Sequence, residues 1–89
     1  MRTIWKYTVP VDDEAHTFEI PSLNHDVVHV GSTQGIEKVD FWVEVETDVR
    51  TISRSFTVVG TGHKVPKAGT VRGSVVVADG RLVWHLVEL

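Results

Sequence analysis

Eighty-nine residues supply one modest hydrophobic core and no second one, so a single domain over residues 1–89 is expected. The absence of cysteine excludes a disulfide framework, a thiolate zinc site, an iron–sulfur cluster and a cysteine nucleophile, and 42% hydrophobic with 24% charged residues excludes a disordered tail. No apolar run nears the roughly 18 residues of a membrane span and the chain opens on a strand-like pattern rather than a signal segment, which predicts a cytoplasmic protein without membrane contact.

Residue types fix the secondary-structure class. Eighteen valines, nine threonines and four isoleucines stand against three alanines and four leucines. β-Branched side chains are stiff in helices and pack well on a pleated surface, so strands and little or no helix are expected. The first run, Arg2 to Val9, sets Trp5, Tyr7 and Val9 on one face and Ile4, Lys6 and Thr8 on the other, and Pro10 ends it or confines it to an edge. Asp12, Asp13 and Glu14 read as a solvated turn before a second run, Ala15 to Ile20, with His16, Phe18 and Ile20 together. Pro21, Ser22 and Asn24 break the pairing. A third run, Asp26 to Ser32, carries Val27, Val28 and Val30 and leads into the turn-prone Gly31–Gly35.

The fourth run, Ile36 to Thr47, alternates most cleanly, with Val39, Phe41, Val43 and Val45 facing a core and Asp40, Trp42, Glu44 and Glu46 facing water. The fifth, Thr51 to Gly60, puts Ile52, Phe56 and Val58 on one side with Arg54 interrupting. Thr61 to Gly69 is a longer irregular connection than a hairpin needs. Runs Thr70 to Ala78 and Arg81 to Glu88 join through Asp79 and Gly80, a pair suited to the positive φ angles of a two-residue hairpin turn. About seven short antiparallel strands predict an all-β sandwich or a small, partly open barrel. Both faces of the closing strand are apolar and Trp42 sits on an acidic face, which points to a central or covered strand and to a homo-oligomer.

Charge is unevenly spread on a chain of net −3. Residues 1–48 hold ten acids and three bases, whereas residues 49–78 hold Arg50, Arg54, Lys64, Lys67 and Arg72 and no acid. Such a stretch creates a local positive field. An acidic chain without a basic helix or a recognised motif argues against duplex nucleic acid and for a small anion. Inside the stretch lies Gly60-Thr61-Gly62-His63-Lys64-Val65-Pro66-Lys67. Its glycines let backbone amides converge, Thr61 adds a hydroxyl, and His63, Lys64 and Lys67 add charge, a combination suited to phosphate. The spacing is neither that of the Walker A loop nor that of the dinucleotide fingerprint. A plain bulge with His63 capping a turn is the structural alternative.

Other residues carry less. His25 and His29 have helical metal-pair spacing, but an extended segment separates their Cα atoms by about 13 Å, so no metal is expected. His85, flanked by valines, reads as a buried histidine hydrogen-bonded to a neighbour. No serine, threonine, histidine and carboxylate set stands out by spacing, so neither a catalytic centre nor a cofactor is expected. Trp5, Tyr7, Trp42 and Trp84 could stack a nucleobase, with core and interface packing as the alternative.

Three segments, Thr3-Ile4-Trp5-Lys6-Tyr7, Gly60-Thr61-Gly62-His63 with Pro66, and Val83-Trp84-His85, are spread over nearly the whole chain. Together they resemble a family of small uncharacterised proteins common in bacteriophage and prophage genomes. The resemblance implies a phage accessory protein of the bacterial cytoplasm, transfers no activity, and puts Gly60, Thr61, Gly62 and His63 forward as functional positions. Lys64 falls in a variable segment of that motif. Small all-β phage proteins also include oligomeric sponges that sequester nucleotide second messengers, an analogy of size and context. The expectation is a non-enzymatic homo-oligomer that binds a small anionic, nucleotide-like ligand through Gly60–Lys67, with auxiliary charge from Arg54 and Arg72 and stacking by Trp5, Tyr7 or Trp42. The alternative is a protein-interaction or virion-associated module without a small ligand.

Overall fold

A computed structural model describes residues 1–22 and 26–89. It contains seven strands: β1 (Arg2–Pro10), β2 (His16–Ile20), β3 (Val27–Gly31), β4 (Lys38–Glu46), β5 (Ile52–Gly60), β6 (Thr70–Val77) and β7 (Leu82–Glu88). They form two antiparallel sheets, β1-β4-β3 and β2-β5-β7-β6, stacked as a sandwich rather than closed into a barrel. Of the turn residues expected after β2, Asn24 lies outside the described residues, as does His25.

Alternation explains which faces meet. Val39, Phe41, Val43 and Val45 of β4 are completely buried, and Val9 of β1, Ile20 of β2, Phe56 and Val58 of β5 and Leu86 of β7 complete one hydrophobic cluster. The Phe41 and Phe56 rings lie 4.4 Å apart across the two sheets, with Tyr7 stacked on Phe41 at 5.6 Å and Phe18 edge-on to it at 5.6 Å. Burying a side chain of this size contributes about 1.5–3 kcal/mol, so the aromatic group is the centre of the fold.

Three details depart from a plain two-faced sandwich. Asp40, on the outward side of β4, is fully buried. Its carboxylate accepts hydrogen bonds from the Thr8 hydroxyl at 2.6 Å, the Thr33 amide at 2.8 Å and the Thr33 hydroxyl. The β3–β4 loop therefore folds over that end of the face, and a buried carboxylate is tolerated because its acceptor capacity is filled.

Arg54 likewise points between the sheets and is 6% exposed. Its Nε and one terminal nitrogen each bond a Glu88 oxygen at 2.8 Å, and the other terminal nitrogen bonds the Ser22 hydroxyl at 2.9 Å. Arg72 donates its Nε to the same Glu88 at 2.9 Å and lies 3.5 Å from Asp26. Burial pushes the Glu88 carboxyl up, but hydrogen bonds and charge from Arg54 and then Arg72 outweigh it and hold the group below its ordinary value.

The closing hairpin follows the sequence except at one residue. Asp79 and Gly80 take the expected positive φ angles, 55° and 89°, with the Arg81 amide donating to the Ala78 carbonyl at 3.1 Å. Ala78 also has φ 52°, so the turn begins one residue earlier than a two-residue connection requires. The closing strand β7 is central, between β5 and β6. The cover on its outer face comes from the chain itself, because the β5–β6 connection lies across it and Val87 is fully buried beside Gly69.

Candidate functional site

The connection from β5 to β6 is built on two turns. In the first, the His63 amide donates to the Gly60 carbonyl at 3.0 Å and Gly62 has φ 87°, a conformation that side chains disfavour. A Cβ on Gly60 would stand 3.2 Å from the Trp84 ring and 3.3 Å from His63 Nδ1, so His63 folds back over Gly60 beside Trp84. In the second, the Gly69 amide donates to the Pro66 carbonyl at 2.8 Å. Between the turns the chain lies back on the outer face of its own sheet.

This fold-back makes a cleft of about 120 Å³ lined by Asp13, Thr57, Val58, Val59, His63, Lys64 and Pro66. Beside it, His85 of β7 is held from both sides: Nε2 lies 2.9 Å from the Thr61 hydroxyl and Nδ1 lies 2.6 Å from the Ser74 hydroxyl of β6. Thr61 is thereby tied to β7 and β6, which fixes the first turn on the sheet. The expected single neighbour of His85 is two hydroxyls, and the ring expected to be buried is half-buried, because it lies on the outer face of β7.

Residues of the expected site divide into groups. Gly60, Thr61, Gly62, His63 and Lys64 share the loop, and Lys67 stands exposed within its second turn. Arg54 and Arg72 are not brought to it, since both converge on Glu88 between the sheets. That corrects their auxiliary role: the missing carboxylate in residues 49–78 is supplied from β7. The aromatics also stay apart. Tyr7 belongs to the core, Trp5 is 42% exposed on β1, and Trp42 lies on the outer face of the other sheet, paired across strands with Lys6 and 5.2 Å from the His29 ring. The aromatic ring at the loop is Trp84, whose Nε1 donates to the Ile36 carbonyl at 2.9 Å.

The matched range settles the chain's family. Residues 1–89 match the family described as Domain of unknown function (DUF7352). The chain belongs to the DUF7352 family. No curated protein and no solved structure matches it, and the DUF7352 match indicates no enzymatic family. No helix among the described residues is long and apolar enough to cross a membrane.

Within this DUF7352 chain, the cleft is smaller than the roughly 300 Å³ at which small-molecule pockets begin, so it has room for one oxyanion-sized group and not for a whole nucleotide. The turn spends the His63 amide on the Gly60 carbonyl, and His63 and Lys64 are the imidazole-bearing and ammonium-bearing residues of the lining. Asp13, with φ 64°, is the carboxylate on the same lining and repels an anion placed near it. Sequence reasoning missed Thr57, Val58 and Val59, which read only as strand, and Asp13, which the pairing of β2 with β5 carries to the end of β5. Asp12, Glu14 and His16 also approach each other, with ligand atoms within 4.8 Å, on an exposed turn. There the His16 Nε2 already lies 2.9 Å from both Asp12 oxygens, and that hydrogen bond chiefly lowers the Asp12 pKa.

Proposed function

We propose that the protein is a non-enzymatic accessory protein of phage type, acting in the host cytoplasm, that binds and sequesters a phosphate-bearing, nucleotide-like ligand as a homo-oligomer. The observation that supports this reading is the fold-back of the β5–β6 connection, by which His63 and Lys64 line one cleft together with Thr57. In this reading a phosphate enters the cleft and the remainder of the ligand lies outside it, toward Lys67. Charge-assisted hydrogen bonds contribute about 1.5–3 kcal/mol, so His63→Ala and Lys64→Ala should each weaken binding by roughly tenfold or more. Both side chains are exposed, so the melting temperature should barely change. Calorimetric titration with inorganic phosphate and with linear and cyclic nucleotides tests this, and unchanged affinity in both variants removes the loop from the site.

A second reading is favoured by exposed apolar side chains on edge strands, Ile4 at 54% and Trp5 at 42% on β1 and Val71 at 51% and Val76 at 63% on β6. It makes the protein an interaction or virion-associated module. It predicts no heat with any nucleotide and a protein recovered by affinity capture that is lost on Trp5→Ala or Val76→Lys.

A further inference from the structure

The four sheet edges of the sandwich are unequally protected. An edge strand presents unpaired amides and carbonyls, and proteins blunt it with shortness, charge, proline or a bulge. β1 carries exposed Lys6 and ends in Pro10. β2 is five residues long and carries exposed Glu19. β3 is also five residues long, and its pairing is broken by a bulge between Val27 and His29. β6 is eight residues long, contains no proline, and has Arg72 as its one charged residue. Arg72 is turned onto Glu88, and the bulge at that position leaves Gly73–Val77 in regular pairing with β7. Val76 and Ser74 project from the outer face of this regular segment, Val76 being 63% exposed. Next to it lies an open groove of about 440 Å³ between residues 32–36 and residues 76–80, with Asp79, beyond the regular segment, as the carboxylate on its lining.

We infer that β6 is a self-association edge, on which a second copy of this chain pairs antiparallel across a twofold axis near Val75. The complement to a row of free backbone groups is another extended strand. A copy of the same strand fits because antiparallel pairing across a twofold is self-complementary, and because this segment brings no carboxylate and no uncompensated charge to the contact on a chain of net −3. A twofold near Val75 sets Ser74 of one copy beside Val76 of the other on the outer face, and sets the two Val75 side chains together on the inner face. The two four-stranded sheets become one eight-stranded sheet. Strands are spaced about 4.8 Å, so the two β5 strands stand roughly 24 Å apart across five spacings, and each loop cleft keeps to its own chain. The inference rests on the homo-oligomeric part of the proposed function and not on its ligand.

The chain has no cysteine, so a single introduced thiol reports one position. Val76→Cys and, on the competing β1 edge, Ile4→Cys are treated with a short bismaleimide, while the wild type and Val76→Lys are weighed by native mass spectrometry. Expected are a doubled mass for the wild type, a single-chain mass for Val76→Lys with an unchanged circular dichroism spectrum, and a cross-linked dimer for Val76→Cys only. A wild type that stays single-chain at every concentration overturns the inference, as does cross-linking through Ile4→Cys in place of Val76→Cys. If Val76→Lys fails to fold, the pair of cysteine variants decides. Phosphate titration of the dimer is read separately: a dimer that binds no anion retires the ligand and keeps the edge, and a single chain that binds one does the reverse.

Discussion

Asp40 carries a consequence that its neighbours on β4 do not. The buried carboxylate is pushed up by burial, but the Thr33 and Thr8 hydroxyls and the Thr33 amide hold it below its ordinary value of 3.8. A carboxyl whose folded pKa is depressed stabilises the protein above its unfolded pKa and ceases to do so as pH falls through the folded one. Asp40→Ala leaves Thr8 and Thr33 donors without their acceptor and should cost about 1–3 kcal/mol at pH 7, measured by urea unfolding. Gly73 tests packing at the same scale. A Cβ there would stand 2.6 Å from a Val30 methyl of the facing sheet, so Gly73→Ala should destabilise by about 1–3 kcal/mol, read as a lower urea midpoint. Neither residue was legible in the sequence as special. Asp40 follows the alternation of β4 and sits on its expected outward side, and only the fold-over of the β3–β4 loop buries it. His63 and Lys64 were legible, because two glycines and a proline mark a turn whatever the tertiary context.

At the scale of elements, the strands were readable because β-branched runs alternate with turn residues along the chain, with the period of two cleanest in β4. The seven observed strands lie within a residue or two of the expected runs, since β-branched runs between turn residues leave little choice of register. The partners of those strands were not readable. Arg54 looked like an interruption of an apolar face and like spare charge for a ligand, and only the pairing of β5 with β7, which sets Phe56 opposite Glu88, brings the carboxylate to it. Together with the pairing of β6 to β7, it also explains the acid-free stretch, whose Arg54 and Arg72 are neutralised from a distant segment. Removing one partner of a buried ion pair strands the other, so Glu88→Ala should cost about 3–5 kcal/mol. Replacing Arg54 and Glu88 together by Met and Leu should recover much of that loss, and a double-mutant cycle by urea unfolding measures the difference. If Glu88→Ala costs no more than a surface substitution, the cluster is not the clasp between β5, β6 and β7 described above.

For the whole molecule, the lowered pKa values of Asp40 and Glu88 set a common pH window. Stability should be flat near neutrality and fall as pH drops below 4.5 and then 3.8, the ordinary values of the two groups, toward their lower folded values. Asp40→Asn should flatten that slope, and thermal melts at pH 7, 4 and 3 check it. The charge asymmetry read from the sequence also changes meaning in three dimensions. Five bases in residues 49–78 become two that are committed to Glu88, two that stand on the β5–β6 connection, and Arg50 ahead of β5. The bases left on the loop are thus narrowed to Lys64 and Lys67, with His63 next to Lys64 and Asp13 opposing it on the same cleft lining. Amide-resolved NMR titration with inorganic phosphate, followed by a cyclic nucleotide, tests the loop as the anion site most directly. Expected are saturable shifts confined to Asp13, residues 57–59 and residues 60–67, with the midpoint moved to roughly tenfold higher ligand or beyond in His63→Ala. Shifts centred on the Trp42 face, or none up to millimolar ligand, would contradict it.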